Sequence, residues 1–366
     1  MSALTRTFVL LATAAGALTV AIASLVMMLI PTIDAPPSSL IGHLGAGVEF
    51  ALSLTGALAA LLVTVFALIA QLPARRASAT GFSRAAALVS ALLLAVSTPG
   101  GIIPAAGYTF AMTVIVGSTV LVVLIALRRP WLGILLAAVV IGVVVYAGVS
   151  LESAPVVPQV IGTLGTMLPH VGLALAHVVA AAGLLIWTIG ESSGARGGFA
   201  RAVLRHRRAL TIVAAACALP YVFTRATWLT PWPLFGGSAE LFAQEPATRV
   251  VGLALGAGML AGGVLTMGLI LPWGERFPRL FAGVGGRPVP PGLAIIPASV
   301  VSVLFTAAGI QFALEGAGSI DDTLYLLLMF PFWLWGPLLA IATWGYAMNR
   351  MATLTAPALA LSESRR

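Results

Sequence analysis

Apolar residues run along this chain in long stretches that no charge interrupts, and polar, glycine-rich or proline-rich segments separate them. Between Arg249 and Glu275 no residue is charged, which is enough chain to cross about 30 Å of hydrocarbon at about 1.5 Å per helical residue. Read by this pattern, ten runs are predicted to span a membrane as helices. They fall at about residues 7–30, 44–70, 85–96, 108–127, 131–150, 160–189, 209–227, 249–271, 293–312 and 323–347. The expected fold is an all-α, polytopic transmembrane helix bundle forming a single integral membrane domain over residues 1–366.

Punctuation refines the pattern. The apolar core of the first run exceeds the roughly 7–15 residues of a secretory signal, so it is read as a retained span. Arg128 and Arg129, followed by Pro130 and Trp131, leave so short a turn that the runs on either side must be antiparallel. In the run 249–271, Gly252 and Gly256, then Gly258 and Gly262, stand four apart. That spacing makes two smooth strips against which other helices can pack closely, and the run is expected to be the packing hub.

Composition agrees with this class. Hydrophobic residues make up 60% and charged residues 8% of the chain, against roughly 25% charged in soluble domains; mean hydropathy is +1.07. The net charge of +8 comes from arginine alone. No basic patch is interleaved with aromatics as nucleic-acid strands require, so the excess is read as membrane sidedness and no nucleic acid as a partner. Ten spans would place seventeen of the nineteen arginines on one side, leaving Arg225 and Arg249 opposite. By the positive-inside rule that side, with both termini, is cytoplasmic. The densest basic segment, residues 190–208 with Arg196, Arg201, Arg205, Arg207 and Arg208, is expected to lie at the headgroups as an amphipathic helix. Its partners would be anionic lipids or another protein, and a homo-oligomer is also compatible. Ten spans also divide into two halves of five with opposite orientation, as in inverted-repeat transporters, although the halves share no convincing residue similarity. The single cysteine, Cys217, excludes an intrachain disulfide and a cysteine metal cluster.

The run Gly256-Ala-Gly-Met-Leu-Ala-Gly-Gly-Val-Leu-Thr-Met-Gly-Leu, together with Pro272-Trp-Gly-Glu-Arg-Phe-Pro-Arg279, Gly286-Arg-Pro-Val-Pro-Pro-Gly-Leu-Ala-Ile-Ile-Pro-Ala298 and Pro220-Tyr-Val-Phe-Thr-Arg-Ala-Thr-Trp228, resembles a group of polytopic membrane proteins of high-GC actinobacteria. The likeness covers about residues 220–308. The group has no established activity, so the resemblance implies a bacterial cell membrane protein and carries over no functional residues.

Ionisable groups inside spans cost roughly 2.5–3.5 kcal/mol at a helix centre, so each calls for an explanation. His170 and His177 lie seven apart on one helix face; they suit haem ligation, a proton relay or helix-to-helix hydrogen bonds. Paired haem ligands normally come from facing helices, so no cofactor and no metal is expected. Glu49, two turns into the second run, suits a coupling carboxylate or an outer-leaflet group reaching for water. Arg225 and Arg249 flank the loop holding Trp228 and Trp232, and at least one is expected to pair with Glu49, Glu240 or Glu245. Pro331-Phe-Trp-Leu-Trp-Gly-Pro337 removes helix hydrogen bonds within one run, a break tolerated only against protein or a water-lined cavity. Trp333 and Trp335 would be the walls of such a cavity.

No catalytic motif occurs: there is no Ser–His–Asp grouping, zinc-protease helix or phosphate loop. A transporter or permease-like protein is therefore the first functional reading, with Glu49, Arg225, Arg249, Trp333 and Trp335 as substrate-binding residues. A non-transporting scaffold or accessory subunit is the second. An intramembrane haem protein or enzyme using His170 and His177 is the third.

Overall fold

The computed structural model describes residues 3–30, 39–71, 81–100, 123, 126, 130–150, 156–195, 197–277, 285–315 and 320–363. Apart from an isolated bridge between Arg276 and Pro288, the regular elements among them are helices. These are α1 (Ala3–Leu29), α2 (Ala46–Ile69), α3 (Gly81–Val96), α4 (Pro130–Ser150), α5 (Val156–Glu191), α6 (Gly198–Ala216), α7 (Leu219–Ala226), α8 (Ala239–Gln244), α9 (Pro246–Met267), α10 (Pro291–Glu315), α11 (Ile320–Met329) and α12 (Phe332–Glu363), with short 3-10 turns between some of them.

The helices are apolar on the outside. Along α1 the exposed residues are Phe8, Leu11, Leu18, Ile22, Leu25 and Leu29, three, four or seven apart, while Thr13, Ala17, Ala21 and Ser24 are buried. A helix of a soluble domain turns the opposite stripe outward. Large apolar residues outside and small or hydroxyl residues between helices is the arrangement that lipid favours. The chain is a multi-pass membrane protein.

Six helical stretches among the described residues are long and apolar enough to cross a membrane: Leu4–Leu29, Ala46–Ile69, Pro169–Glu191, Gly198–Leu229, Pro291–Leu314 and Ile320–Thr353. The expectation of ten spans is thereby corrected. Gly81–Val96 has 16 residues and reaches only about 24 Å at 1.5 Å per residue, and Val251–Met267 is likewise a shorter apolar helix. The run expected at 108–127 lies outside the described residues apart from positions 123 and 126, as do many side chains of α4.

The centre of the bundle is α5, not the glycine-rich α9. In the best apolar window of Pro169–Glu191, 78% of residues are buried, against 44% or less in the other candidate spans. This helix packs on α1, α2, α3, α10 and α12. Its small residues explain the role: Ala180, Ala181 and Ala182 are buried, and a Cβ added at Gly183 would overlap Thr13 of α1. α9 packs on α6, α7 and α8 and leaves Val251, Leu255, Leu260, Val264 and Leu265 exposed.

One end of the bundle gathers the basic residues. Arg6 pairs with Glu191 at 2.8 Å, Trp344 donates to the Ser192 carbonyl at 3.0 Å, and Arg350 donates to the Val289 carbonyl at 2.9 Å. The start of α1, the end of α5, the segment before α10 and the latter part of α12 therefore meet there. Residues 198–208, expected to lie apart on the headgroups, form the first turns of α6, where Ala200 and Val203 are buried with Met348 of α12. Arg196 lies outside the described residues.

Candidate functional site

Towards the other end, α1, α2, the turn after α3 and α5 enclose a small polar pocket. It is lined by Ser24, Met27, Glu49, Phe50, Ser53, Ser97, Pro99, Leu173 and His177, and leaves about 10 Å³ for the centre of a water-sized group, the room of about one water molecule.

Each side chain is placed by its helix. Glu49 sits in the first turn of α2, where the partial positive charge of the helix N-terminus favours a carboxylate. It is 8% exposed, and its Oε1 accepts the Ser39 amide N–H at 2.6 Å. Ser53 follows four residues later, on the same helix face. The His177 ring is 2% exposed. Its Nδ1 lies 2.9 Å from the Leu173 carbonyl of its own helix, and because a carbonyl only accepts, this nitrogen carries a proton. In the neutral ring Nε2 then accepts from the Ser53 hydroxyl at 3.0 Å. Ser24 of α1 donates in turn to the Ser53 Oγ at 3.2 Å. The result is a directed chain from Ser24 through Ser53 to His177, with Glu49 on the same pocket wall. The lining thus offers both donors and acceptors around a space the size of one water.

The other residues singled out from the sequence lie elsewhere. His170 is two turns from His177 on α5, half-buried and outside the pocket lining. With both ring nitrogens of His177 engaged, an iron bond there would first have to break one of its hydrogen bonds. Groups of three or more metal-ligating side chains do not occur among the described residues.

Arg225 lies over two rings, its guanidinium carbon 4.0 Å from the Trp228 ring centre and 4.7 Å from that of Tyr221. Arg249 donates to the Trp228 carbonyl at 2.9 Å and faces Phe242 at 5.5 Å. The expected carboxylate partners are thus replaced by ring faces and a carbonyl: Glu49 receives Ser39 and Glu245 receives Thr248. Tyr221 and Trp228 stand four before and three after Arg225, so the cation–π contacts form within one helical segment.

The glycines of α9 serve this clasp. A Cβ at Gly252 would collide with the Trp228 ring and one at Gly256 would lie 2.8 Å from Arg225, whereas Gly258 faces open space and Gly262 stands 3.7 Å from Trp335. The expected second strip, Gly258 with Gly262, therefore does not form one packing surface.

The helix break falls at Phe330 and Pro331, and Pro337 lies within α12. Aromatic rings fill the space around the break. Trp335 is 1% exposed and packs on Phe305 at 4.7 Å, which also stacks on Phe332 at 4.3 Å. Trp333 is half exposed and donates to the Leu327 carbonyl at 3.1 Å. The structure therefore brings Glu49 together with His177 rather than with Arg225, Arg249, Trp333 or Trp335. Ser24 and Ser53 are the functional candidates that sequence reasoning passed over. Their signal was a hydroxyl one turn after Glu49 in an otherwise apolar run.

Neither a family model, nor a curated protein, nor a solved structure matches the chain.

Proposed function

We propose that the pocket of Glu49, Ser53 and His177 is a proton-binding site, and that the chain is a permease-like protein of a bacterial cell membrane that uses it for coupling. The observation that carries this reading is the meeting of two ionisable side chains, from α2 and α5, around a water-sized space buried between helices. Ionisable groups at such depth are costly and mark ion or proton sites by default, because a purely structural contact is made more cheaply by serine or alanine. The sorting of arginine supports an orientation with the Arg6, Glu191 and Arg350 end in the cytoplasm, so the pocket lies nearer the outer face.

The test is proton uptake by purified protein after an acid pulse, followed with a pH dye. Wild type takes up a proton that Glu49→Gln does not, and His177→Gln shifts the pH at which it is taken up. Equal uptake by wild type and Glu49→Gln would overturn the reading. Substrate-dependent currents on solid-supported membranes, lost in Glu49→Gln, would extend it to transport. A second reading, a non-transporting scaffold, is favoured by the closely packed interior around α5 and by a pocket with room for only one water. Proton uptake without any substrate-dependent current in a broad solute screen would decide for it.

A further inference from the structure

The basic end holds a second group of charges that the pocket does not use. On α6 the buried positions Ala200, Val203, Thr211 and Ala214 define the face packed against α12, and Arg207 falls on that face. Its side chain runs along Gly345, where an added Cβ would lie 3.4 Å from the arginine Cγ. From α12 comes Arg350, 8% exposed, whose Nη2 donates to the Val289 carbonyl at 2.9 Å. Both arginines act electrostatically on Tyr346, whose hydroxyl donates to the Gly274 carbonyl at 2.8 Å and also receives Arg350.

The charges do not balance. The described acid near this cluster is Glu275, which receives Asn349 at 3.3 Å, so two guanidinium groups face one carboxylate. Buried donors remain on both arginines: Nη1 of Arg207 and Nε of Arg350 have no acceptor. An arginine buried without a full counter-charge is costly, and two forks with spare N–H groups match the oxygens of a phosphate. Next to them Arg201, Arg205 and Arg208 are exposed on the same helix beside the exposed Phe199 and Leu204. Basic residues interleaved with apolar ones at a helix end are the surface against which an anionic lipid settles.

We propose that Arg207 and Arg350 form a binding site for a phosphate group, supplied by the headgroup of an anionic lipid at the arginine-bearing end of the bundle. The exposed arginines attract the lipid, and the half-buried Arg207 with the buried Arg350 holds its phosphate between α6 and α12.

The experiment reconstitutes the full chain in nanodiscs of phosphatidylcholine, alone or with a minority of phosphatidylglycerol, and reads the thermal midpoint. Wild type is expected to melt several degrees higher with phosphatidylglycerol. Arg207→Gln and Arg350→Gln should lose that increment, whereas Arg205→Gln keeps most of it. Arg350→Gln also breaks the bond to Val289; if it fails to fold, Arg207→Gln decides alone, because no hydrogen bond among the described residues uses that side chain. Full retention of the increment in Arg207→Gln, or an equal loss in Arg205→Gln, overturns the site. Millimolar inorganic phosphate added to phosphatidylcholine discs separates the sources. An increment as large as that from phosphatidylglycerol, also lost in Arg207→Gln, would keep the phosphate chemistry and overturn the lipid.

Discussion

Replacing Ser53 with alanine removes the hydroxyl that touches both Ser24 and His177. The ring it leaves behind is 2% exposed, so Nε2 loses its donor in a place where bulk water cannot substitute. A buried polar group left unsatisfied costs about 1–3 kcal/mol. Interhelical hydrogen bonds in membranes measure less, about 0.6 kcal/mol on average and up to about 1.7, because the unfolded chain in lipid also finds partners. The pocket has room for about one water, which could take the place of the missing hydroxyl. Together these put Ser53→Ala at about 1–2 kcal/mol of destabilisation. His177→Leu in the same background removes both partners, and the double variant should be less destabilised than the sum of the singles by about 0.6–1.7 kcal/mol. Unfolding by sodium dodecyl sulfate in mixed micelles, read by circular dichroism, gives all four corners of that cycle. Thr55→Ala is the control, since its exposed hydroxyl bonds only the Ala51 carbonyl one turn back. A coupling within about 0.3–0.5 kcal/mol of zero, the range of independent sites, would show that His177 does not rest on Ser53, and the proton chain would fall with it.

Other perturbations test the packing. Gly309→Leu drives a side chain into the backbone at Phe332 and Trp333, and overpacking of this kind costs about 1–3 kcal/mol or more; size-exclusion profiles should show loss of monodisperse protein, while Gly258→Leu, which faces open space, elutes as wild type. Arg225→Gln removes the cation between Tyr221 and Trp228 and is expected to lower stability by about 0.5–2 kcal/mol, read as a lower thermal midpoint; an unchanged midpoint would mean that the ring contacts contribute nothing. Arg6→Ala breaks the pair with Glu191, whose side chains are 33% and 16% exposed, so solvent screening holds the loss to about 1 kcal/mol at most. A larger drop in the same assay would mark that pair as a buried one.

What was legible in the sequence follows from what lipid enforces. The runs that became α1, α2 and α10 were readable because a spanning helix must be apolar along its length, and any chain obeys that rule locally. The centre of the bundle was not readable. Ala180, Ala181 and Ala182 of α5 look like alanines in any other run, and only the approach of α1 at Gly183 distinguishes them. Glu49 and His177 stood out singly, because each is expensive in an apolar run. Their meeting was hidden by the sequence separation of 124 between Ser53 and His177, since neither helix encodes which neighbour will face it.

The arginine clasp departs from the expected carboxylate pairing for a local reason. Tyr221 and Trp228 stand within one helical turn of Arg225, where a cation–π contact needs no long-range assembly, whereas a carboxylate partner would have to come from another element. The break at Pro331 is likewise packed from its own neighbourhood. The segment that breaks the helix supplies Phe330, Phe332 and Trp335, rings large enough to occupy the space that the missing hydrogen bonds would open. Aromatic residues beside a proline in an apolar run point to a filled kink, whereas a carboxylate with a hydroxyl one turn on, as in Glu49 and Ser53, points to a space left for something else.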